Sequence, residues 1–224
     1  MTDTSWLGLT DTHLIACQGS HRLREEACQA FLTMQDAAKN DGIDMQIVSS
    51  FRDFNRQQQI WDAKWAGKRP LYDRSGNLID PDSLSDEQKL FAILIWSALP
   101  GASRHHWGTD LDVYDKKSVD SWPHRFELVA AEYQAAGPCF ELHCWLSENA
   151  DRFGFYRPYE KDRGGVAPEA WHLSYRPLAE HLIQSLDLQI LKVQIEASNI
   201  LGKAHIQANL DEIFSRYTLN GESR

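Results

Sequence analysis

Residues 100–114 read PGASRHHWGTDLDVY, and this stretch is rich in residue types that bind metals. Two adjacent histidines, a glycine and two alternating aspartates lie close together in it. The apolar residues between the aspartates predict a strand that leaves a turn at Gly108, with Asp110 and Asp112 on one face. His105 would lie on the opposite face of a straight strand. A bend at Gly108, where a positive φ costs little, can return its ring to the carboxylates.

Two interpretations of this stretch are open when it is taken alone. Imidazole nitrogen and carboxylate oxygen in one concave place are ligands that a borderline divalent ion such as zinc accepts. Histidine pairs in turns are more often solvated or hydrogen-bonded, without any metal. Of the two histidines, only His105 is a candidate ligand, and His106 is expected either to support a ligand from behind or to be structural.

A second stretch, PEAWHLSY at 168–175, favours the metal. A catalytic zinc site needs three protein ligands, an open position for water and a general base near that water. His105, Asp112 and His172 can bind one zinc ion, and Glu169 can act as the base. Because Glu169 and His172 would face opposite sides of a straight strand, we expect a bend between them.

Together with SSFRDFNRQQ at 49–58, these motifs resemble the zinc D-alanyl-D-alanine carboxypeptidase family. That family also contains D,D-dipeptidases, L,D-carboxypeptidases and cell-wall endopeptidases of phages. The resemblance covers about residues 25–176. It implies that Arg52 faces the scissile carbonyl and that Ser103 and Gln57 hold the substrate's terminal carboxylate or peptide oxygens.

Two further residues, Asp110 and Trp171, are expected close behind the metal ligands. Asp110 would orient a ligand, hold Arg52 or remain a solvated carboxylate in a turn. Three positions depart from the residues usual in the family: Phe51 replaces tyrosine, Asp110 a small residue and Ala170 a proline. None of these departures removes a ligand or the base.

The composition is that of an ordinary globular protein, with 42% hydrophobic and 25% charged residues in a chain of 224. A net charge of −9 argues against nucleic acid or an anionic membrane surface as partner. No apolar stretch is long enough for a membrane span. The expected partners are peptides derived from peptidoglycan, and the sequence does not predict an oligomeric state. Cys17 and Cys28 are interpreted as neutral thiols, since four cysteines are too few for a disulfide scaffold.

The first residues lack the charged start and apolar core of a secretory signal. The chain as given is therefore expected in the cytoplasm, or in the periplasm or cell wall if a leader has been removed.

The hydrophobic pattern predicts an α+β fold: a small, mostly antiparallel sheet carries the zinc site, with helices outside it. A parallel βαβ sheet is the alternative. Residues 1–176 would form the peptidase domain (core about 25–176), and 177–224 a helical extension packed on it. Residues 1–20 should be loosely ordered. Strands are expected at 45–50, 110–114 and 153–156, and helices at 21–40, 54–67, 85–97, 126–136, 141–152, 178–186, 187–201 and 203–217.

The expected function is that of a zinc metallopeptidase that removes the terminal D-alanine from peptidoglycan stem peptides. The alternatives are an L,D-carboxypeptidase, an L-alanyl-D-glutamate endopeptidase, or a zinc-containing binding module without catalysis. The presence of both Glu169 and Arg52 favours an enzyme, because a purely structural zinc site needs neither.

Overall fold

The structure is a computed structural model, and it describes residues 4–222. Its strands are β1 (Ile15–Gln18), β2 (His21–Leu23), β3 (Met45–Ser49), β4 (Leu71–Tyr72), β5 (Leu78–Ile79), β6 (Asp110–Asp115), β7 (Phe155–Tyr156) and β8 (His172–Tyr175). Its helices are α1 (Glu25–Asn40), α2 (Phe54–Trp65), α3 (Asp86–Leu94), α4 (Lys116–Asp120), α5 (Phe140–Asn149), α6 (Arg176–Ser185), α7 (Leu188–Ala197), α8 (Lys203–Ala208) and α9 (Leu210–Ile213). None of the helices in this described part is both long enough and apolar enough to cross a membrane.

A four-stranded sheet with the order β3-β6-β8-β7 carries two of the predicted ligands. Every strand pair in it is antiparallel, which confirms the predicted α+β fold and excludes the parallel alternative. β6 is an inner strand, and its residue Asp112 lies directly opposite His172 of β8. Because side chains alternate along a strand, Asp110 and Asp112 share one face, while Leu111 and Val113 point the other way.

The apolar face of β6 determines where the aspartates lie. Leu111 and Val113 are fully buried in a hydrophobic cluster with residues of α1, β3 and α5. Burying an aliphatic side chain of this size contributes roughly 1.5–3 kcal/mol. A slip of one residue in register would move both aspartates into this cluster and both apolar side chains out of it. The hydrophobic effect therefore fixes Asp110 and Asp112 on the opposite face of the sheet.

A second hydrophobic cluster joins α2 and α3 to the helices after residue 176. Trp61 of α2 is fully buried, and its indole N–H donates to the carbonyl of Leu201 at 3.1 Å. Leu191 of α7 and Ile206 of α8 belong to the same cluster. This packing supports one structural unit, and the division at residue 176 stays a prediction.

The segment before α1 is more ordered than expected. Residues 1–3 lie outside the described residues, but Trp6 is fully buried in the second cluster and β1 pairs with β2 in a hairpin. Cys17 and Cys28 form a disulfide, with their Cα atoms 5.5 Å apart. Their interpretation as thiols was wrong, because the hairpin brings Cys17 back to the first turn of α1.

The helix predicted at 126–136 was also wrong, since the described structure has only a 3₁₀ turn, Ala130–Tyr133, in this range. Leu128 has a φ of 60°, which an α-helix excludes. The carboxylate of Glu132 accepts hydrogen bonds from the backbone N–H of Glu127 at 2.8 Å and Val129 at 2.9 Å. These side chain–backbone contacts fasten a non-helical segment that apolar spacing alone does not reveal.

Most other elements lie close to their predicted positions. The strand at 45–50 and the helices at 54–67 and 85–97 correspond to β3, α2 and α3. Ser85 caps α3 as expected, in a capping box with Gln88. The helix predicted from His21 begins only at Glu25, because β2 pairs with β1 first. The last predicted helix is divided at Asn209 and ends in a π turn, Phe214–Thr218.

Candidate active site

Three segments bring metal-binding residue types together. The 3₁₀ turn Arg104–His106 presents His105, β6 presents Asp112, and the first residue of β8 is His172. One ligand atom from each lies within 4.8 Å of the others, and all three residues are buried. The structure therefore brings together the three residues that the sequence predicts as metal ligands.

The turn at Gly108 makes this convergence possible. Gly108 has a φ of 71°, and a Cβ atom there would clash with Leu14 and crowd Arg24. Glycine is the residue that adopts this conformation at little cost. As predicted, the chain folds back at this point, so that Nε2 of His105 lies 3.3 Å from Oδ2 of Asp112.

In each imidazole, one ring nitrogen faces away from Asp112, and the hydrogen-bond partner of that nitrogen indicates that it carries a proton. Nδ1 of His105 lies 2.9 Å from the carbonyl oxygen of Ser50, which can only accept, so Nδ1 donates and Nε2 faces Asp112. Nε2 of His172 lies 2.9 Å from Oδ1 of Asp110, and its Nδ1 lies 3.2 Å from Oδ1 of Asp112. Both rings thus direct their inner nitrogens toward one carboxylate.

This donor set fits a zinc ion. Imidazole nitrogens and a carboxylate oxygen are ordinary zinc ligands. Oδ1 of Asp112 is buried and makes no well-aligned hydrogen bond, although Nδ1 of His172 is only 3.2 Å away. A buried carboxylate oxygen without a partner is costly. A cation between Asp112, His105 and His172 would satisfy all three groups.

Glu169 borders these residues. Its Oε2 lies 3.5 Å from Nδ1 of His172, and its backbone N–H donates to the carbonyl of Tyr159 at 2.9 Å. The segment containing Glu169 thus ends where β8 begins, as the expected bend requires. Burial, together with the charge of Asp112, raises the pKa of Glu169 to about 7 against the opposing charges of His172 and Arg52. A carboxyl group with a pKa near neutrality can both take up and return a proton.

The ligand residues differ in charge state in the metal-free protein. Burial opposes the charged form of His172, but its hydrogen bonds with Asp110 and Asp112 outweigh burial and raise its pKa to about 9. Burial and the nearby charge of Arg52 instead lower the pKa of His105. His172 therefore carries an extra proton at neutral pH, and a metal ion must displace that proton to bind.

Arg52 follows β3 and lies next to the ligand residues. Its backbone N–H donates to the carbonyl of His105 at 3.1 Å, and its carbonyl accepts from Nδ1 of His106 at 2.6 Å. His106 therefore holds the backbone at Arg52, in line with the structural role expected for it. Nε of Arg52 is buried and makes no hydrogen bond. Burial lowers the pKa of Arg52, opposed by Asp112 and Glu169. The guanidinium has an unpaired donor to offer to an anion.

The two predicted substrate-binding residues are both buried. Gln57 of α2 donates from Nε2 to the carbonyl of Ala98 at 2.8 Å, while its Oε1 is buried without a hydrogen bond. Ser103 precedes the turn that carries His105, and its carbonyl accepts from the N–H of His106 at 3.0 Å. Their roles toward a substrate stay predictions.

Asp110 contacts His172, which agrees with its expected role of orienting a ligand. The alternative, that it holds Arg52, is wrong: Oδ1 of Asp110 instead accepts from Nε of Arg104 at 2.9 Å. Trp171 is also buried behind the ligands. Its ring stacks on Trp96 with centroids 6.4 Å apart, and its carbonyl accepts from the N–H of Val113 at 3.1 Å.

Three residues near the site were missed by sequence reasoning. The ring of Tyr159 packs edge-on against His172, with centroids 4.9 Å apart. Lys64 of α2 is coupled electrostatically to Glu169 and Arg52, and burial, aided by Arg69, lowers its pKa to about 8. No local pattern marks these two residues, because only the tertiary fold brings them to the site. Arg104 is adjacent to His105, and that adjacency was a usable signal.

The family comparison agrees with this geometry. The family model described as "VanY: D-alanyl-D-alanine carboxypeptidase" matches residues 20–178. A D-alanyl-D-alanine carboxypeptidase of Enterococcus faecalis is 31% identical over 143 residues, which are 62% of this chain and 43% of that protein. An uncharacterised protein of Haemophilus influenzae is 38% identical over 121 residues, which are 53% of this chain and 92% of that protein.

Three solved structures have the same fold as this chain. VanYB in complex with D-alanine-D-alanine has a TM-score of 0.53 and 26% identity, with 79% of this chain and 83% of that chain covered. The LdcB LD-carboxypeptidase has a TM-score of 0.56 and 25% identity, with 80% of this chain and 75% of that chain covered. A variant of the vancomycin-resistance D,D-pentapeptidase VanY, solved with Zn(II), has a TM-score of 0.53 at 21% identity, with 91% of this chain and 99% of that chain covered. The chain belongs to the VanY D-alanyl-D-alanine carboxypeptidase family.

Proposed function

We propose that this protein is a zinc-dependent peptidoglycan peptidase, and specifically a D,D-carboxypeptidase that removes the terminal D-alanine from stem peptides. One observation carries the proposal: the buried group of His105, Asp112 and His172 has Glu169 beside it, with Oε2 3.5 Å from Nδ1 of His172. The unpaired guanidinium nitrogen of Arg52 supports the same conclusion. A binding module would need neither Glu169 nor Arg52.

The residues of this chain can divide a peptide hydrolysis between them. A bound zinc ion would act as a Lewis acid that polarises the scissile carbonyl and lowers the pKa of water. Glu169 takes the proton from the attacking water as a new C–O bond forms, and it returns that proton to the amine as the C–N bond breaks. Arg52 stabilises the oxyanion that develops on the carbonyl, because its guanidinium stays charged and its donors are fixed.

The terminal carboxylate of the substrate distinguishes a carboxypeptidase from an endopeptidase. Gln57 and Ser103 are our candidates for binding it, since both are buried and the family resemblance assigns them to the substrate. The similarity to the LdcB LD-carboxypeptidase supports a second candidate function, cleavage of a peptide that ends after one D-alanine. The two functions differ in the stereochemistry of the residue before the cleaved bond.

A panel of substrates separates these functions. Zinc-loaded protein would be incubated with a stem pentapeptide ending in D-alanyl-D-alanine, with the tetrapeptide that ends after one D-alanine, and with intact sacculi. The products would be identified by mass spectrometry. Zinc-loaded Glu169→Gln protein is the matched control, because it retains the predicted ligands and reveals any contaminating peptidase.

We expect the pentapeptide to lose one D-alanine and the control to release it at least ~10²-fold more slowly. Cleavage of the tetrapeptide alone would replace the proposal with an L,D-carboxypeptidase. Solubilised sacculi with new amino termini would indicate an endopeptidase. If no substrate is cleaved while zinc is fully bound, the binding-module alternative is correct.

The protein is expected either in the cytoplasm or in the periplasm or cell wall. The disulfide of Cys17 and Cys28 supports the second location, because disulfides persist in oxidising compartments outside the cytoplasm. The test is alkylation of the protein in freshly lysed cells of its source, before and after reduction. We expect Cys17 and Cys28 to react only after reduction, and reaction of both before reduction would contradict this assignment.

A further inference from the structure

Arg104 connects the metal-ligand residues to the last described part of the chain. Its side chain is almost fully buried, and its guanidinium lies over the ring of Trp107 with Cζ 4.4 Å from the centroid. Nε donates to Oδ1 of Asp110 at 2.9 Å, and Nη2 donates to Oγ of Ser174 at 2.8 Å. On the other side, Nη1 donates to Oε2 of Glu222 at 2.6 Å. One buried guanidinium therefore binds two carboxylates that are far apart in sequence.

The first of these carboxylates touches the predicted ligand. Oδ1 of Asp110, which accepts from Arg104, also lies 2.9 Å from Nε2 of His172. Oδ2 accepts from the hydroxyls of Thr109 at 2.6 Å and Ser174 at 3.0 Å. Every oxygen of this buried carboxylate is therefore engaged, so Asp110 cannot rotate without losing contacts. The orientation of the His172 ring depends on this arrangement.

The second carboxylate comes from beyond α9. Oε1 of Glu222 accepts from the hydroxyl of Tyr156 at 2.8 Å, and that hydroxyl also accepts from Nη2 of Arg104 at 2.6 Å. Two residues earlier, Oδ1 of Asn220 accepts from the N–H of Val166 at 3.1 Å, in the segment that leads to Glu169. The segment 218–222 thus contacts both the residues behind His172 and the chain that carries Glu169.

We propose that Glu222, acting through Arg104 and Asp110, is a positioning residue for His172, so that the helical extension sets the affinity of the metal site. This inference rests on the proposed metal site but not on the choice of substrate. The physical reason is geometric: without Glu222, the Arg104 guanidinium loses one of the two carboxylates that hold it. The contact of Arg104 with Asp110 then no longer holds the His172 ring in the orientation in which its Nδ1 faces the metal.

The test measures zinc affinity by competition with a chromophoric chelator. Partners of metal-bound histidines typically contribute about 10- to 100-fold in affinity. We expect Asp110→Asn to weaken zinc binding within that range, and Glu222→Ala to weaken it by roughly 3- to 10-fold, since Glu222 is one contact further away. Glu212→Ala is the matched control, because it removes another glutamate–arginine pair, with Arg216, on the exposed surface of the same extension. It should leave zinc affinity unchanged.

The double variant Asp110→Asn/Glu222→Ala separates a relay from two independent effects. If Glu222 acts through Asp110, the double variant should bind zinc no more weakly than Asp110→Asn alone. Additive losses, or an unchanged zinc affinity in Glu222→Ala, would overturn the proposal. Denaturant unfolding of each metal-free variant would show whether lost affinity merely reflects lost stability. Peptide cleavage plays no part in this readout, so a failure of the proposed substrate would leave the result interpretable.

Discussion

Replacing Glu169 with glutamine should lower turnover by several orders of magnitude and, at the same time, stabilise the metal-free protein above neutral pH. The substitution preserves the shape of the side chain but removes its proton shuttle. Loss of a general acid–base group typically costs about 10²- to 10⁴-fold in rate. Zinc content should not change, because the predicted ligands are His105, Asp112 and His172.

The magnitude of the stability effect follows from the pKa of Glu169. Burial raises that pKa from 4.5 to about 7, so the ionised side chain destabilises the folded protein. A shift of this size, at ~1.4 kcal/mol per pKa unit, corresponds to about 3 kcal/mol. Below pH 4.5 the side chain is protonated in both folded and unfolded chains, and no penalty exists. The penalty develops as pH rises from 4.5 to 7 and is complete above 7.

The assay is urea unfolding of chelator-treated wild-type and Glu169→Gln protein at pH 5 and pH 8. We expect the difference in free energy of unfolding between the variant and the wild type to be about 2 to 3 kcal/mol more favourable to the variant at pH 8 than at pH 5. Comparing the two pH values removes any constant effect of the amide on packing. A gain that is the same at both pH values would show that Glu169 has an ordinary pKa. The proposed role of Glu169 as base would then lose its electrostatic support.

Three further predictions concern the same residues. His172→Ala should lose both zinc and activity, whereas full zinc content by elemental analysis would show that another residue is the third ligand. Arg52→Lys should keep zinc but lose about 10²- to 10³-fold in kcat, because lysine lacks the planar fork of donors. Loss of zinc from this variant would contradict the role of Arg52 in stabilising the oxyanion. Zinc affinity should rise about tenfold per pH unit below pH 9, because His172 must release a proton before it can bind the metal. Calorimetry in two buffers would detect the released proton, and a zinc affinity that does not change with pH would exclude this release.

The parts of this protein that could be predicted from sequence are those encoded within short segments. β3, α2 and α3 follow from local periodicity and from a cap such as Ser85. The ligand residues could also be predicted, because few side chains bind zinc and two of the three occur in one motif around Gly108. In both cases, the information lies within a few residues of the feature.

The parts that could not be predicted depend on contacts between distant segments. The region 126–136 has helical spacing, but hydrogen bonds to the Glu132 carboxylate hold it in another conformation. The disulfide needs the β1–β2 hairpin to bring Cys17 to Cys28. Nothing local to Arg104 indicates that a glutamate from beyond α9 binds it. Only the assembled fold provides these partners.

The most direct test of the metal site is a crystal structure of the zinc-loaded protein with anomalous scattering measured at the zinc edge. We predict one anomalous peak at bonding distance from Nε2 of His105, Nδ1 of His172 and a carboxylate oxygen of Asp112. A fourth position, beside Glu169, should be open to solvent. A peak at Nε2 of His172, at His106 or at a cysteine, or no peak among these three residues, would contradict the account.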